Sequence, residues 1–225
     1  LNANSQAENA LATKTTVSDN GHQYTINLRH DGKWSNGDPV TAQNFVYSWE
    51  RTLNPKSKSE FTYQFANIKN ANAIAAGKKS PSTLGVKAVG KYQLKITLSQ
   101  PASYFKKMLA STTYYPLNEK AVNKYGSKYG SSAKTTVYNG PFTLANWSGT
   151  SDNWTLKKNA SYAEAKSVKL QSIDYKVIKD STTAYNLYQS KKLDQVTLSG
   201  EQTTQNKNNA NLKSLSAGRI GFIQY

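Results

Sequence analysis

Apolar positions along the first hundred residues switch between a period of two and a period near 3.6. Tyr24, Ile26 and Leu28 alternate with Thr25, Asn27 and Arg29, which predicts a half-buried strand ended by His30-Asp31-Gly32. Lys33 to Pro39 is turn chemistry, in which Asn36-Gly37 supplies positive φ and Pro39 biases Asp38 away from the helical region. Thr41 then reads as the N-cap of a helix. Ala42, Phe45, Val46, Trp49 and Leu53 share one face of it, and Asn54-Pro55 stops it. Trp34 and Trp49 are assigned to the core rather than to a binding surface.

Further on, Phe61, Phe65, Ile68 and Ala75 recur at helical spacing, with Gly77 as a C-cap. Leu84 to Ala88 and Tyr92 to Leu98 alternate about Gly90 and predict a hairpin. Pro101 opens a short helix through Tyr104, Phe105, Met108 and Leu109, with Met108 a gap-filler. A second helix runs from Asn118 to Tyr125, with Gly126 past its end. Residues 111 to 116 between them read as extended, and residues 127 to 136 as a flexible Ser/Lys/Gly/Thr link. Another hairpin is expected from Phe142 to Asn159, with Gly140 allowing unusual backbone angles ahead of Pro141. Leu170 to Ile178 reads as a strand, and Asp180-Ser181 caps a helix bearing Ala184, Leu187 and Tyr188. The terminal run from Arg219 to Tyr225 reads as a strand cut short, so the chain is expected to be a portion of a longer one.

Composition changes this picture in two ways. A 225-residue chain with 37% hydrophobic residues can bury a sizeable core. No run approaches the ~18 apolar residues of a membrane span, and the first residues lack the basic start and apolar centre of a signal peptide. The charge is lopsided: 29 Lys and Arg against 13 Asp and Glu leave a net +16, a field that attracts polyanions in general. The cations are mostly dispersed lysines, the arginines being Arg29, Arg51 and Arg219, and there is no recognisable nucleic-acid-binding motif. A solvated basic surface facing an anionic cell envelope is the better reading than nucleic-acid binding.

Candidate chemistry is sparse. The absence of cysteine excludes disulfides and thiolate metal sites. His22 and His30 flank one strand without a carboxylate pattern to complete a metal site, no serine sits in a nucleophile elbow, and no phosphate loop occurs. Catalytic residues, metal ligands and cofactors are therefore assigned to none. The sequons at Asn146, Asn153 and Asn159 mark exposed polar positions.

The stretch from Thr25 to Arg29, Lys33 to Ala42 and Phe45 to Pro55 resembles the signature of the oligopeptide- and dipeptide-binding solute-binding proteins of peptide ABC importers, with Asn44 where an acid is common. Similar matches continue at Leu84-Gly85-Val86 with Thr97-Leu98-Ser99, at Asn139-Gly140-Pro141-Phe142, at Asn159 with Tyr162, and at Leu193-Asp194, where Lys192 stands near the family's usual Gly. The resemblance runs from about Val17 to Tyr225.

This resemblance implies a mixed α/β fold, one incomplete lobe of the periplasmic-binding-protein type. Residues 1–138 would form a peripheral subdomain and 139–225 part of the core subdomain, with the second lobe outside this sequence. It implies an oligopeptide ligand held between two lobes, delivery to ABC permease subunits, an extracytoplasmic location, and membrane contact only through a lipid-modified Cys upstream of Leu1. Substrate-binding positions by the same resemblance are Phe61 and then Tyr63, at the mouth of the cleft, and Thr197, Leu198 and Ser199 at a strand end. Phe61 and Ser199 have a plainer reading. Phe61 and Phe65 are core neighbours on one helix face, and Ser199 caps a helix containing Gln202. Two other functional classes remain: a basic adhesin binding mucus, matrix or wall polymers, and an aromatic-based sugar binder.

Overall fold

The computed structural model describes residues 6–214. The terminal strand expected at 219–225 lies outside the described residues. By contacts the chain divides into two units, Leu1–Tyr175 and Lys176–Tyr225. The subdomain boundary expected at 138/139 thus falls inside the first.

The first unit opens with β1 (Ala12–Ser18), which carries an irregularity between Ala12 and Lys14, and β2 (Gln23–Leu28). Tyr24, Ile26 and Leu28 are all buried, as the alternation predicts. The turn follows as read, with Gly37 at φ +88°, and leads into α1 (Ala42–Leu53). Its start is a reciprocal capping box: Thr41 bonds the Asn44 backbone, and Asn44 Oδ1 accepts from Thr41 N at 2.9 Å. The same oxygen accepts from Trp34 Nε1 at 3.2 Å. Asn in place of an acid therefore keeps both capping contacts.

A short helix, α2 (Ala71–Ala75), precedes the hairpin of β3 (Val86–Val89) and β4 (Gln93–Thr97), which turns at Gly90 with φ +64°. The sheet order is β1-β2-β4-β3, with these neighbours antiparallel. Gly85 marks a close approach: a Cβ there would stand 2.5 Å from the Thr97 carbonyl oxygen and 2.8 Å from Lys69 Cβ. The core lies between this sheet and α1, where Trp49, Leu53, Phe65, Ile68, Ile74, Leu94 and Ile96 are essentially inaccessible. Trp34 and Trp49 are both buried, as expected.

Beyond it, α3 (Phe105–Met108) and α4 (Glu119–Tyr125) form where expected, with the Asn118 side chain accepting from Ala121 N at 3.0 Å. Residues 112–114 are a 3₁₀ turn, not extended chain. The cause is Tyr114, drawn into the core by edge contact with Trp49 and by its hydroxyl donating to Gln64 O, while Trp49 Nε1 donates to Tyr114 O at 2.9 Å. The link at 127–136 holds two further 3₁₀ turns, the second closed by a Ser132–Thr135 capping box.

A second sheet, β5-β6-β7, is built from β5 (Phe142–Ala145), β6 (Asn153–Lys158) and β7 (Ser172–Lys176). Gly140 before it does not take a positive φ, contrary to expectation. The turn is held instead by Asn159, which is buried rather than exposed as its sequon suggested: its Nδ2 donates to Gly140 O at 2.9 Å and its backbone N donates to Pro141 O at 2.9 Å. Two ties connect this region to the first sheet. Ser35 N donates to Tyr138 O at 2.6 Å, and Arg29, paired to Asp31 at 2.7 Å, also reaches Glu164 at 2.7 Å.

The second unit contains α5 (Ser181–Gln189) and α6 (Gly200–Gln205). Asp180 caps the former, accepting from Thr183 N at 2.7 Å and Thr183 Oγ1 at 2.6 Å, which holds its carboxyl below the usual range. Residues 195–198 are not a strand: a strand exists by its ladder, and no described residue pairs with them.

Candidate functional site

The strongest sequence candidate follows directly from the end of α1. Asn54 caps a 3₁₀ turn at 55–57, accepting from Lys56 N at 3.0 Å. Lys58 then takes φ +50°, and Ser59 Oγ accepts from Phe61 N at 3.3 Å. Residues 62–65 form another 3₁₀ turn. Phe65 is its anchor, fully buried with ring centroids 4.7 Å from Tyr114 and 5.9 Å from Trp49.

This geometry corrects one reading of Phe61. On an α-helix, residues four apart share a face, whereas three residues per turn rotate Phe61 away from Phe65. Phe61 is 53% exposed and Tyr63 is 69% exposed. Two aromatic rings therefore stand in solvent, braced by a third that does not.

Phe61 also lines an open cavity of about 360 Å³ between this turn, α1 and residues 111–117. Sequence reasoning missed the residues that share it, Gln64, Thr112, Thr113 and Tyr115 among them. Only the density of Tyr and Thr there could have hinted at them. Tyr115 is 52% exposed and, unlike the adjacent Tyr114, stays outside the core. Burial pushes the Tyr114 hydroxyl far above the ordinary tyrosine range, so it is a permanent donor and a structural one.

The other candidates lie in the second unit. Thr197 is exposed, while Leu198 and Ser199 are half-buried. Ser199 caps α6, its Oγ accepting from Gln202 N at 3.4 Å while its own backbone N donates to Gln202 Oε1 at 3.0 Å. The buried Gln202 also donates from Nε2 to Ser181 O at 3.1 Å, which pins the α6 start to the α5 start. The capping reading of Ser199 thus holds, and its hydroxyl proton is still free to be donated.

A larger, mostly apolar cavity of about 420 Å³ occupies the first unit, walled by Leu28, Phe45, Leu109, Pro116 and Pro141, with Lys33 and Lys106 also lining it. Asn139 contributes to its wall, and its Nδ2 is the buried side-chain polar atom that has no hydrogen-bond partner among the described residues.

Among the described residues no three His, Asp or Glu side chains are grouped to hold a metal ion. His22 Nδ1 lies 2.9 Å from Asp19 O, and His30 stacks on Tyr92 with centroids 4.4 Å apart. No helix among the described residues is long and apolar enough to cross a membrane.

Comparison with known proteins gives a consistent answer. Residues 6–225 match the family described as bacterial extracellular solute-binding proteins, family 5 Middle. The dipeptide-binding protein of Lactococcus lactis subsp. cremoris is 41% identical over 220 residues, 96% of this chain and 40% of that protein. Among solved structures, peptide-bound OppA of Listeria monocytogenes superposes with a TM-score of 0.88 at 44% identity, covering 94% of this chain and 42% of that one. The substrate-binding domain of an oligopeptide ABC transporter from Bacillus anthracis gives 0.85 at 46% identity, over 90% and 39%. The chain therefore spans about two-fifths of the length of the relatives it matches.

Proposed function

Since this chain belongs to the bacterial extracellular solute-binding proteins of family 5, we propose that it forms part of the first lobe of an extracytoplasmic receptor that binds oligopeptides for an ABC permease. Residues 1–138 supply a peripheral subdomain and 139–225 part of the lobe's core, and a second lobe closes over the ligand. The role is binding without chemistry. Anchoring is through a lipid-modified cysteine upstream of Leu1, at the cell surface.

The observation that carries this reading is the exposed pair Phe61 and Tyr63, held on a turn whose third aromatic, Phe65, is locked in the core. Two exposed rings on a turn anchored by a buried third form a rigid aromatic surface, which suits packing against a peptide backbone. Within the second unit, Thr197, Leu198 and Ser199 are proposed as ligand-facing positions in their own right, with the Ser199 hydroxyl as a donor to peptide carbonyls.

Mass spectrometry of the intact protein purified under native conditions tests the proposal. A mixture of short peptides released on denaturation is expected. Preparations that carry no peptide, and bind polyanions in a salt-sensitive way instead, would point to the adhesin class.

A further inference from the structure

We infer that the groove beside Phe61 is a subsite for one uncharged side chain of the bound peptide, and that Thr112, Thr113 and Tyr115 select for it. The inference rests on the peptide-binding reading above and adds the chemistry of one of its pockets.

Three observations support it. None of the side chains lining the groove is charged, in a protein whose formal net charge is +16. A lysine or glutamate side chain entering it would give up water without meeting an opposite charge. Next, the polar groups of the groove divide into spent and unspent. Ser48 Oγ donates to Tyr115 O at 2.7 Å, Thr52 Oγ1 to Ser48 O at 2.9 Å, and Ser111 Oγ to Gln64 Oε1 at 3.1 Å. The Thr112 and Thr113 hydroxyls make no hydrogen bond among the described residues, so they can both donate and accept. Last, Phe61 and Tyr115 are each about half-exposed and line the same groove, offering two rings to whatever enters.

Hydroxyls that donate or accept, together with aromatic faces and no charge, fit a threonine, asparagine, glutamine or tyrosine side chain. At about 360 Å³ the opening has room for any of these together with water.

The test uses the full-length protein and calorimetry with peptide sets in which one position at a time carries Ala, Val, Thr, Asn, Tyr, Lys or Glu. At one position Thr and Asn are expected to exceed Val by about fivefold, the worth of one neutral hydrogen bond, with Lys and Glu weakest. Replacing both hydroxyls with methyls (Thr112→Val with Thr113→Val) should erase the Thr-over-Val preference. Thr112→Asp, at an exposed position that tolerates the change, should move Lys from the bottom of the ranking to the top. Peptide binding with a side-chain ranking that neither variant alters overturns the subsite while leaving the receptor reading intact. Failure of every peptide to bind the wild-type protein overturns both.

Discussion

The two sheets of the first unit carry similar apolar alternation and differ in what they bury. In β2 and β4, Tyr24, Ile26, Leu28, Leu94 and Ile96 are at most 6% exposed, because α1 lies against that sheet and fills the space with Trp49 and Leu53. In β5, β6 and β7 the corresponding apolar residues are Phe142, Leu144, Trp154, Leu156, Ile173 and Tyr175, and no residue of the three strands is buried. Trp154 and Tyr175 stack at 5.5 Å, ring against ring. Period-two alternation therefore reports that a strand has an apolar face, and a covering element decides whether that face becomes core.

The largest expected contrast is between tryptophans. Trp49→Ala should cost about 3–5 kcal/mol, since it opens a large void and leaves the Tyr114 carbonyl without its indole donor. Trp154→Ala should cost about 1 kcal/mol, mainly the lost ring stack. Chemical denaturation of the two variants measures the difference, and equal losses would mean that the second sheet is as well covered as the first.

Glycines sharpen the same comparison. Gly85→Ala, ahead of β3, meets backbone at 2.5 Å and should destabilise by about 1–3 kcal/mol. Gly140→Ala, ahead of β5, has nothing within 4 Å of its new Cβ and should change stability by no more than about 0.5 kcal/mol.

Acid titration probes the turn that carries the first sheet into α1. The Asp38 carboxyl is held below its ordinary range, first by the Asn118 amide at 3.0 Å, then by Asn36 at 3.0 Å and by Lys120. A folded-state value below the unfolded one means that the stabilisation is present in full above about pH 4. It is lost as pH falls through the lower folded value. Asp38→Asn should lower neutral-pH stability by about 1 kcal/mol and flatten the acid limb of a stability–pH curve.

The smallest effect is of opposite sign. Glu50, on α1, has its carboxyl raised by burial and then by the neighbouring Glu119, so the folded state favours the protonated form. Stability therefore falls as pH rises from the unfolded value towards the raised one. Glu50→Gln should remove that slope and gain a few tenths of a kcal/mol at neutral pH, resolvable as a small rise in thermal midpoint.

Local codes were legible wherever one element carried its own instruction. The strand at Tyr24–Leu28, the Thr41 cap, the Gly90 hairpin and the caps at Asp180 and Ser199 could be read from the residues, because alternation, capping and positive φ are properties of a few adjacent positions. The same signature stretch carried the family. Whether Phe61 pointed inward could not be read, because that depended on a 3₁₀ rather than an α turn. The turn in turn depends on Phe65 and Tyr114, some fifty residues apart, packing against each other on Trp49.

What the residues alone determined is thus the central strands and longer helices in their order, though not β1, together with the capped helix behind the first sheet and membership of a solute-binding family. The tertiary structure decided which aromatics are core and which are exposed, separating Tyr114 from Tyr115 and Phe65 from Phe61. It also decided which hydroxyls of the groove remain unspent. Neighbours in sequence share composition but not surroundings, and burial and hydrogen-bond occupancy are set by partners that only folding brings into reach.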